Sequence, residues 1–93
     1  MRSDWGQSLL NLGVTLERLG RKDESEAAYL KALRVDPNSA QPHYNLAVLY
    51  WNRDWARAAE HLRSSLKIDP NHAQAREYLP KALYALEMNS KKR

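Results

Sequence analysis

The sequence predicts an all-α fold in which short helices stack as repeated units, and three observations support this. A segment ending in Asp36-Pro37-Asn38 returns 33 residues later as a segment ending in Asp69-Pro70-Asn71. Apolar residues recur every three or four positions, which is the period of an amphipathic helix, and no stretch alternates as a half-buried strand would. A repeat of this length indicates that each unit buries its apolar face against its neighbours.

The first helix is predicted from leucines at helical spacing: Leu9, Leu12, Leu16 and Leu19. Asp4, followed three residues later by Gln7, is typical of a capping box at a helix start. Gly20 follows the last leucine and is expected to form the C-cap.

Four more helices follow. A second capping box at Asp23 and Glu26 opens a helix that ends at the first Asp-Pro-Asn turn, where Asn38 is expected to cap the third helix, about residues 39–51. Asp54 is expected to cap the fourth helix. A fifth begins near Asn71, with that residue as its cap.

The fifth helix contains Pro80. Proline lacks a backbone N–H and its ring clashes with the preceding turn, so this helix is predicted to kink or break between about residues 76 and 79.

Residues of several types recur in a fixed order in two units. The first unit supplies Leu9, Leu12, Gly13, Leu16, Ser25, Tyr29 and Pro37; the second supplies His43, Leu46, Ala47, Tyr50, Ala58, Leu62 and Pro70. This order and spacing resemble the tetratricopeptide repeat, a helix–turn–helix of 34 residues. The resemblance covers roughly residues 4–88.

The resemblance implies a right-handed helix–turn–helix solenoid of two and a half units and five helices. The expected organisation is a single domain over 1–90, with units at about 6–39 and 40–72, a capping helix at 73–88 and a basic tail at 89–93. Gly13 and Ala47 are expected to let the paired helices approach closely. The residues expected to fill the space between helices are Leu12, Tyr29, Leu46 and Leu62.

Composition limits the function classes. The net charge is +4, but three of the fifteen basic residues lie at 91–93, which leaves twelve basic and eleven acidic residues over 1–90. This balance makes a nucleic-acid partner unfavourable. The chain has no cysteine, and no apolar run is long enough for a membrane span. The sequence does not fix the compartment, and a cytoplasmic location is the working expectation.

A second apolar stripe lies beside the packing stripe on the first helix of each unit, at i, i+4, i+7 spacing. In the related family this face lines a concave groove, so the resemblance places a peptide-binding site there. Leu10, Val14, Tyr44, Val48, Trp51 and Tyr78 are the expected apolar anchors, with Asn11 and Asn45 holding the backbone of the bound segment. Of the clamp used by chaperone-tail receptors only Asn45 is matched, which disfavours that class.

No catalytic or metal site is predicted, and no cofactor. His43, His61 and His72 are not spaced as a metal-binding pair along a helix, and no residue with a fixed position orients His61 towards Ser64 or Ser65. The sequence therefore predicts a non-catalytic module that binds a protein or peptide. The alternatives are a self-associating structural module, with the chain as a homo-oligomer, or a fragment of a larger repeat scaffold.

Overall fold

The computed structural model describes the backbone of residues 2–91 and the side chains of residues 5–91. These residues form five α-helices and no strand: α1 (Arg2–Arg18), α2 (Lys22–Val35), α3 (Ala40–Tyr50), α4 (Trp55–Ile68) and α5 (Ala73–Lys91). Two helical hairpins, α1–α2 and α3–α4, are followed by α5, which packs on α4. The predicted all-α fold is confirmed.

The helices stack in chain order, because α2 packs on α3 and thereby joins the two hairpins. The result is an elongated solenoid with extents of 48 × 29 × 18 Å. None of the described helices has the length and apolar character needed to cross a membrane.

The core lies where the two helices of each hairpin meet. Tyr29, Leu46 and Leu62 are fully buried there, as predicted. In the first hairpin the Ser25 hydroxyl donates to the Gly13 carbonyl at 2.6 Å. A Cβ atom at Gly13 would lie only 2.4 Å from Cε1 of Tyr29, so the absence of a side chain at Gly13 permits this close approach.

The prediction that Leu12 fills the core is wrong. Leu12 is 49% exposed, whereas its counterpart in the second unit, Leu46, is completely buried. The difference follows from stacking, because α2 packs against α3. No helix of the described chain covers the corresponding face of α1.

The two Asp-Pro-Asn turns use their aspartates, not their asparagines. The Asn38 N–H donates to the Asp36 carboxylate at 3.2 Å, and the Asn71 N–H donates to the Asp69 carboxylate at 3.1 Å. The predicted asparagine caps are therefore wrong. At the start of α5 the cap is His72, whose Nδ1 accepts from the Ala75 N–H at 3.2 Å.

The other helix ends divide between success and failure. Gly20 has a φ of +78°, the left-handed conformation that ends a helix, and Asp54 accepts from the Arg57 N–H at 3.1 Å. Both predictions are confirmed. The capping box at Asp23 is wrong because α2 already begins at Lys22. The helix that contains Asp4 begins at Arg2, and the Asp4 side chain lies outside the described residues.

Helix α5 continues without interruption through Pro80 from Ala73 to Lys91. A break at the proline is therefore excluded, while a kink stays a prediction. Residues 89–91 of the expected basic tail belong to this helix, and Lys92 and Arg93 lie outside the described residues.

Candidate functional site

An open groove lies between α3 and α5, and we call it the aromatic groove. It encloses about 430 Å³ and is lined by Tyr44, Ala47, Val48, Trp51, Asn52, Leu62 and Tyr78. The indole of Trp51 lies 5.4 Å from the ring of Tyr78 and is nearly perpendicular to it. No lining residue carries a formal charge, so the groove is suited to apolar and aromatic side chains.

Helical spacing builds the aromatic groove. Tyr44, Val48 and Trp51 follow one another at i, i+4 and i+7 on α3, so they share one face. Tyr78 approaches from α5, with its ring 6.3 Å from that of Tyr44. Trp55, at the start of α4, packs its edge against Trp51 at 4.6 Å between ring centroids and fixes the position of the indole.

A second depression lies beside the aromatic groove, towards α1. It encloses about 370 Å³ and is lined by Val14, Glu17, Arg18, Tyr29, Tyr44, Asn45 and Val48. Tyr44 and Val48 line both depressions and therefore form a ridge between them. Unlike the aromatic groove, this depression has an anion and a cation at its edge.

Asn45 is held by a chain of polar contacts. Its Oδ1 accepts from Gln41 Nε2 at 2.9 Å, and Gln41 Oε1 lies 3.0 Å from His72 Nε2. Because His72 Nδ1 already accepts from a backbone N–H, its proton is on Nε2 and is donated to Gln41. The Asn45 carbonyl is thus occupied, and its amide NH₂ is the group left to meet a ligand.

The two asparagines predicted to act together are not brought together. Asn11 is exposed, accepts from Gln7 Nε2 at 3.1 Å, and lines neither depression. Leu10 lines a separate small depression near Pro42, of about 60 Å³. The remaining predicted residues, Val14, Tyr44, Asn45, Val48, Trp51 and Tyr78, line the two adjoining depressions.

The expectation that the second stripe lies off the packing surface needs correction. Leu10, Val14, Tyr44, Trp51 and Tyr78 are half-buried and pack against the core. Val48, by contrast, is 39% exposed and points into the space between the depressions. Most anchors therefore serve the fold and the groove together.

Sequence reasoning missed several contributors to this region: Glu17 and Arg18 at the edge, Asn52 in the lining, and Trp55 behind Trp51. The only signal for Trp55 was its position directly after the cap Asp54, which places it in the first turn of α4 beside the end of α3.

The histidines also meet in a way that their sequence spacing hides. His43 and His61 place their Nδ1 atoms 3.1 Å apart, with ring centroids separated by 5.3 Å. These distances point the two nitrogens at each other, so one proton is shared between them. The ring of Tyr50 stacks on His61 at 5.7 Å.

The pKa of both imidazoles is lowered. Burial is the main cause for His43, and the adjacent His61 lowers its pKa further. For His61, burial again dominates; Arg57 also lowers its pKa, while Glu60 and Glu26 partly oppose the shift. The fold therefore favours the neutral pair.

The polar chemistry of the described residues does not assemble a reactive centre. Ser65 Oγ donates to the Ala40 carbonyl at 3.1 Å and so serves the packing of α4 on α3. Within residues 5–91, no three side chains of the His, Asp or Glu type come together as metal ligands.

Comparison with known proteins identifies repeats in the same region. A family model described as "TPR repeat" matches residues 18–53, and one described as "Tetratricopeptide repeat" matches residues 43–72. The chain is also similar to Protein O-mannosyl-transferase TMTC3 of Homo sapiens, with 31% identity over 77 residues, and of Mus musculus, with 40% identity over 50 residues. These matches cover 81% and 54% of this chain, but only 8% and 5% of the respective relatives.

Proposed function

Because the chain belongs to the tetratricopeptide repeat family, whose members generally bind other proteins, we propose that it holds a segment of a protein partner in the aromatic groove. The observation that carries this proposal is the open, uncharged groove formed by Tyr44, Val48, Trp51 and Tyr78. Exposed apolar concavities of this kind usually mark interaction sites. No chemical step on the partner is part of the proposal.

The two adjoining depressions suggest how the partner is held. A segment lying across the ridge of Tyr44 and Val48 can place one apolar side chain in each depression. The NH₂ group of Asn45 lies in the second depression and can donate to a backbone carbonyl of the segment. Two apolar anchors one helical turn apart, or two residues apart in an extended segment, would satisfy this geometry.

The test begins with a random peptide library displayed on phage and selected on the immobilised domain. Peptides enriched by the domain are expected to carry paired apolar or aromatic anchors. The affinity of one enriched peptide is then measured by fluorescence anisotropy for the unaltered domain and its variants.

Val48→Arg is the decisive variant, since Val48 is 39% exposed and its replacement fills the ridge without disturbing the core. Leu86→Arg is the matched control, because Leu86 is 37% exposed and lies on α5 outside the groove lining. Loss of a central contact commonly costs about 2 kcal/mol or more, roughly thirtyfold in affinity. We expect that loss for Val48→Arg and no change for Leu86→Arg.

Trp51→Ala and Tyr78→Ala should also weaken binding, but both residues pack against the core. Their melting temperatures must therefore be measured beside their affinities. Absence of enriched peptides, or equal affinity of Val48→Arg and the unaltered domain, would remove the groove from this proposal.

A further inference from the structure

A row of apolar side chains runs along the outer face of α1, opposite the rest of the solenoid. Trp5, Leu12 and Leu19 are 67%, 49% and 64% exposed, and Leu9 and Leu16 between them are half-exposed. We call these five residues the α1 seam. None of them lines the aromatic groove, so the seam is separate from the surface considered above.

The spacing of the α1 seam is that of a helix that pairs with another helix. Its members follow one another at intervals of four, three, four and three residues. This is the heptad pattern whose apolar positions form the contact line of a coiled coil. A helix that merely lies on the surface of a monomer has no need of so large and regular an apolar line.

The surroundings of the seam carry no charge. Ser8 and Thr15 flank it on the exposed side, and Gly6 and Gly13 lie on the side towards α2. Glu17 points away and accepts a hydrogen bond from the Tyr29 hydroxyl at 2.9 Å. Two identical seams can therefore meet without like charges facing each other, which would otherwise oppose self-association.

The second unit shows that a helix fits on this face. Leu46 and Tyr50 of α3 occupy the positions of Leu12 and Leu16, and they are 0% and 8% exposed in a solenoid where α2 packs on α3. The four-residue connection between α2 and α3 makes these two helices antiparallel neighbours. The same face of α1 can accept an antiparallel helix.

We propose that the α1 seam pairs with the α1 seam of a second copy of this chain, in an antiparallel arrangement with a two-fold axis near Leu12. Leu12 of one copy then faces Leu12 of the other, and Trp5 lies beside Leu19 of the partner copy. The pairing is isologous, since each copy contributes the same patch.

The size of the seam sets the strength of the pairing. From Trp5 to Leu19 it is about 21 Å long at the rise of an α-helix. Two helices in contact over this length bury an area at the low end of specific interfaces. The dimer is therefore weak and forms as concentration rises.

Sedimentation equilibrium of the whole chain over a series of concentrations provides the first test. The apparent mass is expected to rise from the 10.8 kDa of one chain towards twice that value. Leu12→Glu places two carboxylates at the two-fold axis and is expected to hold the mass at one chain. Tyr84→Glu is the control, because Tyr84 is as exposed as Trp5, at 65% against 67%, but lies on α5.

A disulfide test distinguishes this pairing from other arrangements. The chain has no cysteine, so in Leu12→Cys the only available thiols are those at position 12. Side by side at the two-fold axis, they are expected to form a covalent dimer under mild oxidation, whereas those of Tyr84→Cys are not. This test also decides the matter if Leu12→Glu fails to fold, which its circular-dichroism spectrum would show.

Three results would overturn the proposal. The unaltered chain could remain at 10.8 kDa at every concentration, which would leave the seam to the second helix of another repeat. Leu12→Glu could dimerise as the unaltered chain does. Tyr84→Glu could abolish association, which would indicate end-to-end stacking of α1 on α5.

Discussion

Gly13 is the residue at which a single methyl group has the clearest consequence. A Cβ atom there would lie 2.4 Å from Cε1 of the buried Tyr29, and the ring cannot withdraw because it is 0% exposed. We expect Gly13→Ala to destabilise the domain by about 1–3 kcal/mol through overpacking, despite the better helix propensity of alanine. The free energy of unfolding in urea measures this.

Gly6→Ala is the matched control on the same helix. A Cβ atom at Gly6 would have its nearest neighbour at 3.7 Å, an ordinary contact. Helix propensity then dominates, and Gly6→Ala should be neutral or stabilise the domain by up to about 1 kcal/mol. Equal effects of the two substitutions would show that the close approach of α1 and α2 is not what Gly13 permits.

Leu46 and Leu12 form a second matched pair, because they hold the same place in successive units. Leu46→Ala empties a fully buried site and should cost about 2–5 kcal/mol, a large part of the stability of a small domain. Leu12→Ala removes a side chain that is 49% exposed and should cost well under half as much. Thermal melts at low protein concentration, where the chain is monomeric, would reveal equal losses if this reasoning is wrong.

Among the elements, α5 carries an avoidable cost. Pro80 lies inside an unbroken helix and has no N–H to donate to the preceding turn. Its side chain is exposed, so nothing in the core depends on the ring. Pro80→Ala should stabilise the domain by up to about 3 kcal/mol. An unchanged denaturation midpoint would mean that the helix already accommodates the proline by a local distortion, which residual dipolar couplings would detect.

The contact between α3 and α4 should respond to acid. The folded state lowers the pKa of His43 and His61, whereas both titrate near 6.5 once unfolded. Below that pH the unfolded chain binds more protons than the folded one, so stability is complete above about pH 6.5 and falls as the pH decreases further. Two protonated rings would also bring two N–H groups against each other at 3.1 Å.

Urea denaturation at a series of pH values between neutral and mildly acidic measures this loss. His43→Gln removes one imidazole and should flatten the dependence, while lowering stability at neutral pH because the shared proton is lost. A pH dependence that is identical in His43→Gln and the unaltered chain would exclude the histidine pair as its source.

At the scale of the whole molecule, the repeat itself made the fold predictable. The two Asp-Pro-Asn segments, the helical spacing of the leucines and the small residues Gly13 and Ala47 together specify stacked hairpins. The exposure of Leu12 was not predictable in the same way. A repeat pattern states what each position contacts inside an array, and the actual neighbours of a terminal helix decide whether that contact exists.

The details of the site depended on contacts between distant parts of the chain. Asn45 was expected to offer its whole amide to a ligand, but Gln41 takes its oxygen and is itself held by His72, 31 residues further along. The helix caps failed for a related reason. Several polar side chains near each turn compete for the same free N–H groups, and composition alone does not decide among them.

The bond between His72 and Gln41 also bears on protein engineering. Repeat proteins are often rebuilt by transplanting a terminal helix onto a new array, with the helix treated as a self-contained part. Here the first turn of α5 takes its cap from a histidine whose other nitrogen is committed to a glutamine of α3. A chimera that receives α5 without Gln41 would leave that imidazole N–H without an acceptor at 9% exposure. The transferable unit is therefore α5 together with Gln41 of the helix on which His72 depends.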